Sequence, residues 1–191
     1  MPGTVPPVAD EREGLLAFLA QQRDGLKTTA YGLTDEQART ASTAGTLTVG
    51  GLIKHVTHVE RNWMDTVLQR PRQTDPNTYA DNFRLLPDET LADVIARYDE
   101  TAKETESIIA GIPDLGQAVP VPKGVPWFPD DIDAWSVRWV LLHLIQETAR
   151  HAGHADIVRE SVDGATFYPL LAAVEGWPET EWMKPWAPAK A

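Results

Sequence analysis

The chain has 191 residues, which is long enough for one domain with a sizeable hydrophobic core. Its formal net charge of -11 argues against a nucleic-acid-binding surface, because such surfaces need clustered Lys and Arg. It contains no cysteine, so disulfides and thiolate-metal sites are excluded and any bound metal must be held by His, Asp or Glu.

The first half of the chain predicts two long amphipathic helices. The N-terminus lacks the basic and apolar regions of a secretory signal, and we expect a cytoplasmic protein without a membrane span. Residues 9–31 place apolar side chains at helical spacing after an acidic start. Thr34 and Gln37 have the spacing of a capping box over a short helix. Residues 46–69 repeat the helical pattern, with Thr48 as the expected N-cap.

A third helix is predicted between two long connections. The first connection, 70–87, is polar and long enough to cross one end or side of a bundle. The helix is expected to begin at Asp88 as N-cap and to end at Gly111. The second connection, 113–131, is rich in proline. Its stretch "AVPVP" alternates like a strand, but the prolines argue against one.

A fourth helix is predicted from near Asp133 to about Val162, with Gly164 as its C-cap. The tail, 165–191, is expected to hold one short helix and then to pack on the bundle as irregular chain rich in Trp and Pro. Four amphipathic helices joined by long crossover connections predict an all-α four-helix bundle, which we expect to form a single domain over 1–191.

All five histidines of the chain fall on two of these predicted helices. The fourth helix carries side chains at intervals of four, four and three residues, which return to one helix face: His143, Glu147, His151 and His154. The second helix carries another set within six residues: His55, His58 and Glu60. Imidazole together with carboxylate suits zinc, nickel or ferrous iron. A single histidine is more often a hydrogen-bonded structural residue, so spacing alone leaves both interpretations open.

Two further features have structural interpretations. Gly153 lies inside the fourth helix, where glycine costs about 1 kcal/mol relative to alanine. It either lets a neighbouring helix approach closely or is a tolerated defect. The stripe formed by Trp63, Trp135 and Trp139 is more typical of a core than of a ligand-binding box. The Trp-rich tail either caps an open pocket or covers one end of the bundle, and Trp127 lies in the Pro-rich second connection.

The runs "TVGGLIKHVTHVERNW" and "HLIQETARHAGHADIVRE", with the following "DGAT", resemble the DinB-like superfamily and, more closely, its actinobacterial-type branch. The resemblance covers about Leu15 to Trp186. It implies a four-helix bundle with a divalent metal held by one ligand from the second helix and two from the last. These positions fall on His55, Glu147 and His151. Glu147 departs from the histidine of many members, a variant similar to that of thiol-dependent maleylpyruvate isomerases.

The resemblance leaves the roles of two other histidines open. His154 is a candidate for a fourth ligand, a catalytic base or a hydrogen-bond donor to a ligand. His58 competes with His55 for the ligand position and is also a candidate base.

The resemblance also implies a class of chemistry. Characterised relatives use the metal to activate a low-molecular-weight thiol such as mycothiol or bacillithiol for transfer or isomerisation. We therefore expect a divalent metal (zinc, nickel or iron), such a thiol, and a small-molecule substrate. A pocket above the metal should then carry a cationic patch for the carboxylates of the thiol, for which Lys54, Arg61 and Arg150 are the nearest candidates. A stress-associated metal-binding bundle without catalysis and a metal-dependent hydrolase are the alternatives. A homodimer would fit the apolar helix face that such bundles often expose.

Overall fold

A computed structural model of the chain describes residues 3–71, 76–126 and 128–188; Trp127, part of the first connection and both chain ends lie outside it. The described residues form helices and a small sheet in this order: α1 (Glu11–Thr29), α2 (Asp35–Ala38), α3 (Val49–Val67), α4 (Leu91–Ala110), β1 (Ala118–Pro120), β2 (Ala134–Ser136), α5 (Val137–Asp163) and α6 (Phe167–Glu175). A 3-10 helix, Pro76–Phe83, lies in the first connection. The predicted all-α bundle is confirmed.

Three helices begin where their capping residues predict. The Asp10 side chain accepts a hydrogen bond from the Glu13 amide at the start of α1. Thr34 and Gln37 form a reciprocal capping box on α2. Thr48 accepts from the third residue of α3. Each cap satisfies an amide that the first helical turn leaves unpaired, so these starts are encoded locally.

The predicted N-cap of α4 is wrong by two residues. Thr90, not Asp88, caps this helix, and it forms a capping box with Asp93. The chain just before Thr90 makes a turn in which the Glu89 amide donates to the Leu86 carbonyl. Asp88 lies inside that turn. The predicted end of the helix at Gly111 is confirmed.

The start of α5 also differs from the prediction, because residues near Asp133 form a strand. The two strands pair antiparallel, with Val119 opposite Trp135 and Pro120 opposite Ala134. Ser136 then caps α5 by accepting from the Trp139 amide. The prolines of "AVPVP" therefore do not prevent a strand here. Pro120, which has no amide hydrogen to donate, is the last residue of a short two-stranded ribbon.

The long helices bury two apolar clusters that are separated by a polar layer. α1 packs along α5, and α3 packs between α4 and α5. One cluster includes Leu26, Leu52 and Tyr98, and the other includes Leu19 and Trp63. The two clusters occupy opposite halves of the same helices, so the polar layer lies across the middle of the bundle.

The polar layer is centred on a buried ion pair. Arg23 of α1 donates to both carboxylate oxygens of Glu60 on α3, at 2.6 and 3.1 Å. Thr105 of α4 donates to the same carboxylate. Arg23 and Glu60 are 3% and 1% exposed, so neither charge is tolerable without the other. The pair therefore fixes how α1, α3 and α4 are aligned.

The first connection packs closely on the beginning of α3. A side chain at Gly51 would place its Cβ 2.0 Å from the carbonyl oxygen of Phe83, and one at Gly50 would meet Leu85 at 2.2 Å. The glycines therefore admit the backbone of the connection against the helix. This contact determines where the Phe83 ring lies.

The tail packs on the bundle through one tryptophan. Gly164 ends α5 in the left-handed conformation, as predicted, and α6 is the expected short helix. The Trp186 ring covers the guanidinium of Arg159, whose carbon lies 4.9 Å from the ring centre. The ring also meets Tyr31 edge-on. In the described part of the chain, every helix is too short or too polar to span a bilayer.

Candidate metal centre

Three predicted ligands meet between α3 and α5. Oε1 of Glu147 lies 3.1 Å from Nε2 of His151 and 3.5 Å from Nε2 of His55. The ligand atoms of the three residues all lie within 4.8 Å of one another. We call these three residues the ligand triad. Glu147 and His151 are one turn apart on α5, so one helix face carries both, and α3 delivers His55 from across the interface.

The ring of His55 is fixed by an aromatic contact. Phe83 stacks on it with ring centres 4.0 Å apart and planes 19° apart. The ring of His151 contacts the His55 ring edge-on, with ring centres 4.8 Å apart and planes nearly perpendicular. Because Phe83 is positioned by its backbone contact with Gly51, the glycine acts indirectly on the orientation of His55.

The electrostatics of the triad keep its carboxylate ionised. Hydrogen bonds from His151 and then from His55 hold the pKa of Glu147 far below its ordinary value, against the opposing effect of burial. His55 is buried, whereas Glu147 and His151 are half-buried. An ionised carboxylate is the form that binds a cation.

The spacing of the donor atoms fits a divalent metal. Ligands about 2.1 Å from a tetrahedral zinc ion lie about 3.4 Å from one another. Two of the three separations in the triad, 3.1 and 3.5 Å, bracket that value, and all three donor atoms lie within 4.8 Å of one another. Nδ1 of His55 is buried and has no hydrogen-bond partner among the described residues. Metal-binding histidines usually donate from that second nitrogen, so the triad has the right donors but leaves one of them unsupported.

Comparison with known families assigns the chain. A sequence model described as mycothiol-S-transferase matches residues 14–164. The chain belongs to the mycothiol-S-transferase family. This family is DinB-like, so the resemblance of the two histidine runs is confirmed.

Comparison with solved structures supports the fold alone. A conserved protein from Enterococcus faecalis superposes with a TM-score of 0.58, at 17% identity, over 83% of this chain and 100% of that chain. No curated protein sequence matches the chain.

In this mycothiol-S-transferase family member, the two candidate catalytic histidines lie beside the triad and not within it. Nδ1 of His154 lies 3.5 Å from Nδ1 of His151, on the ring atom that faces away from Glu147. That place suits a residue that orients His151. Nε2 of His58 accepts a hydrogen bond from Asn62 at 2.8 Å. Catalytic roles for His58 and His154 stay predictions.

Two members of the predicted histidine and carboxylate group lie elsewhere. Glu60 points into the core and pairs with Arg23. His143 stacks on Trp139, with ring centres 5.1 Å apart, and burial lowers its pKa. Trp139 in turn stacks on Trp135, and both pack against the buried Trp63, so the tryptophan stripe is part of the core as predicted. This aromatic column ends one helical turn before Glu147.

The three predicted cations separate into two groups. Lys54 and Arg61 line one cavity beside α3, together with His58. Arg97 of α4 lines the same cavity, although it was not among the predicted cations. The sequence did indicate its position, because Arg97 follows the buried Val94 by about one turn and so lies close to the buried face of α4. Arg150 is exposed and is not among the residues lining that cavity.

Proposed function

We propose that this chain is a metal-dependent S-transferase that joins a low-molecular-weight thiol of the mycothiol type to a small-molecule acceptor. The observation that carries the proposal is the convergence of His55, Glu147 and His151 at metal-ligand spacing, in a member of the mycothiol-S-transferase family. The donor set is compatible with zinc, nickel or iron. The reaction fits the cytoplasm, where thiols are kept reduced.

The chain's own residues divide the work. The ligand triad would hold the ion and, with three protein ligands, leave a position open for a substrate atom. A divalent ion held by the triad would supply Lewis-acid chemistry, lowering the pKa of an incoming thiol so that it could react as thiolate near neutral pH. The chain has no cysteine, so the reacting sulfur comes from a co-substrate.

A histidine near the triad would act as the base that accepts the proton of the thiol. His58 or His154 takes the proton from the thiol, and the sulfur then forms a bond to the acceptor carbon. The acceptor's leaving group departs with the electron pair of its bond. In an isomerisation, the same sulfur adduct would instead break up after rotation and return the thiol.

The test is a conjugation assay with zinc-loaded protein, a chromogenic chloronitroarene as acceptor, and mycothiol, bacillithiol or no thiol. We expect turnover that requires both mycothiol and metal, and that falls about 100-fold or more in His151→Ala. His143→Ala is the matched control, because it removes a histidine of the same helix face that lies outside the triad.

The alternatives predict different results. In a parallel assay that replaces the chloronitroarene by an ester, a metal-dependent hydrolase would show turnover with no thiol present and no thiol-dependent conjugation. A bundle whose metal is only structural would bind the ion and show no turnover with any thiol. Either outcome would contradict the transferase proposal.

A further inference from the structure

The cavity lined by Lys54, Arg61 and His58 lies along α3, the helix that carries His55. It has a volume of about 180 Å³ and is bounded by α3, α4 and the turn that precedes α4. Lys54, which lines the cavity, is the residue directly before the triad residue His55. His58, which also lines it, follows His55 by about one helical turn. Three residues advance about 4.5 Å along an α-helix, so the cavity begins within a few ångströms of His55 along α3.

The charge of this cavity opposes that of the molecule. Lys54, Arg61 and Arg97 line it with three positive charges, against the single carboxylate of Glu89. The whole chain carries a net charge of -11. A concentration of positive charge inside a cleft of an acidic protein attracts anions locally, although the protein as a whole repels them.

Glu89 organises two of these cations. Its carboxylate accepts hydrogen bonds from Lys54 Nζ at 2.6 Å, Arg97 at 3.0 Å and the Leu86 amide at 2.9 Å. Burial raises the pKa of Glu89, but these hydrogen bonds and charges outweigh it and leave the pKa lowered, so the carboxylate is ionised at neutral pH. The two cations are therefore held in place before any ligand arrives.

Arg61 completes the cavity from α3. It is exposed and has no ion-pair partner among the described residues. A guanidinium binds carboxylate and phosphate oxygens in pairs, and an unpaired one at a cavity wall has its donors available for a ligand.

We propose that this cavity is a binding site for a small oxyanion, either a dicarboxylate or a phosphate group, held by Arg61 and Arg97 with Lys54. The site is separate from the ligand triad and does not depend on transferase activity. An anion bound there would lie beside His55 and next to His58.

The test is calorimetric titration of the zinc-loaded protein with succinate and, separately, with inorganic phosphate, at constant ionic strength. We expect saturable binding of at least one anion, weakened roughly tenfold in the double variant Arg61→Gln, Arg97→Gln. Tighter binding of succinate would identify a dicarboxylate site, and tighter binding of phosphate a phosphoryl site. Both altered side chains are exposed, and Arg61→Gln alone removes an unpaired side chain, so the fold is expected to persist.

Two controls make the result decisive. Lys103→Gln with Arg150→Gln removes the same charge from exposed positions outside the cavity and should leave the affinity within about twofold. His151→Ala should retain saturable anion binding, although loss of the nearby divalent ion would weaken it. The proposal is wrong if neither anion binds, if the two double variants weaken binding equally, or if His151→Ala abolishes binding, which would place the anion on the metal.

Discussion

At the residue scale, the face of α5 opposite the ligand triad carries a carboxyl group in an unfavourable environment. Asp156 follows Glu147 by nine residues, which is about 180° around a helix. Burial raises its pKa to about 6 from an ordinary value of 3.8. The folded protein therefore binds this proton more tightly than the unfolded chain does. The stability that this proton contributes is complete below about pH 4 and is lost as the pH rises through 6.

Asp156→Asn should abolish the loss of folding stability that Asp156 causes as the pH rises through 6. We expect the variant to be more stable than the wild type by about 1 kcal/mol at pH 7.5, since the half-exposed carboxylate is partly screened by water. The difference should decrease as the pH falls towards 4 and vanish only well below the unfolded pKa of 3.8, where the wild-type carboxyl is protonated in both states. Urea unfolding of both proteins from about pH 3 to pH 8 measures the difference in free energy. A difference that does not change with pH would show that Asp156 is not the titrating group.

The sequence predicted the triad residues but not their separation from the other histidines. Residues four apart on one helix must share a face, so the proximity of Glu147 and His151 follows from local geometry. His143 belongs to the same stripe, yet it stacks on Trp139, because the stripe passes from the metal centre into an aromatic region. Periodicity cannot show where along a helix the neighbouring surface changes from one kind to the other.

At the element scale, glycine has opposite consequences in α3 and α5, the two helices that carry the predicted ligands. Gly51 in α3 is needed because the backbone of the first connection occupies the place of its side chain. Gly153 in α5 has no described atom within 4 Å of the position a Cβ would take. Of the two interpretations given for Gly153, close approach of a neighbouring helix is therefore wrong, and the tolerated defect remains.

The two alanine substitutions form a matched pair. Gly51→Ala should lower the free energy of unfolding by about 1–3 kcal/mol and weaken zinc binding, because Phe83 must move away from His55. Gly153→Ala should raise the free energy of unfolding by about 1 kcal/mol through helix propensity and leave zinc binding unchanged. Chemical denaturation and zinc titration test both. Wild-type stability and zinc affinity in Gly51→Ala would mean that the contact with the connection does not position the site.

Helix starts were predictable where a capping residue directly precedes the apolar helical pattern, as Thr48 does before α3. Before α4, Asp88 and Thr90 are both good N-caps, and only the reciprocal bond with Asp93 selects Thr90. The displaced start of α5 has another cause. The strand before it forms by pairing with residues about fifteen positions earlier, and local propensity does not report such distant pairing.

At the scale of the whole molecule, the bundle is aligned by charges that the sequence did not assign. Glu60 follows His55 by five residues, which turns it about 140° away from the triad and into the core. There it pairs with Arg23, which lies between Leu19 and Leu26 on the buried stripe of α1; the pattern predicts this position but not the charged partner. The anion cavity likewise depends on α3 and α4 lying side by side. The proposed role of Arg97 therefore follows only from the folded structure.

The claim on which the account depends is that His55, Glu147 and His151 together hold one divalent ion. Elemental analysis of zinc-loaded, desalted protein tests it most directly, with His55→Ala and His151→Ala as site variants and His143→Ala as control. We predict one zinc per chain in the wild type and in His143→Ala, and little or no retained zinc in both site variants, because each loses one of the three donors. One zinc retained per chain in His55→Ala and His151→Ala would contradict the claim.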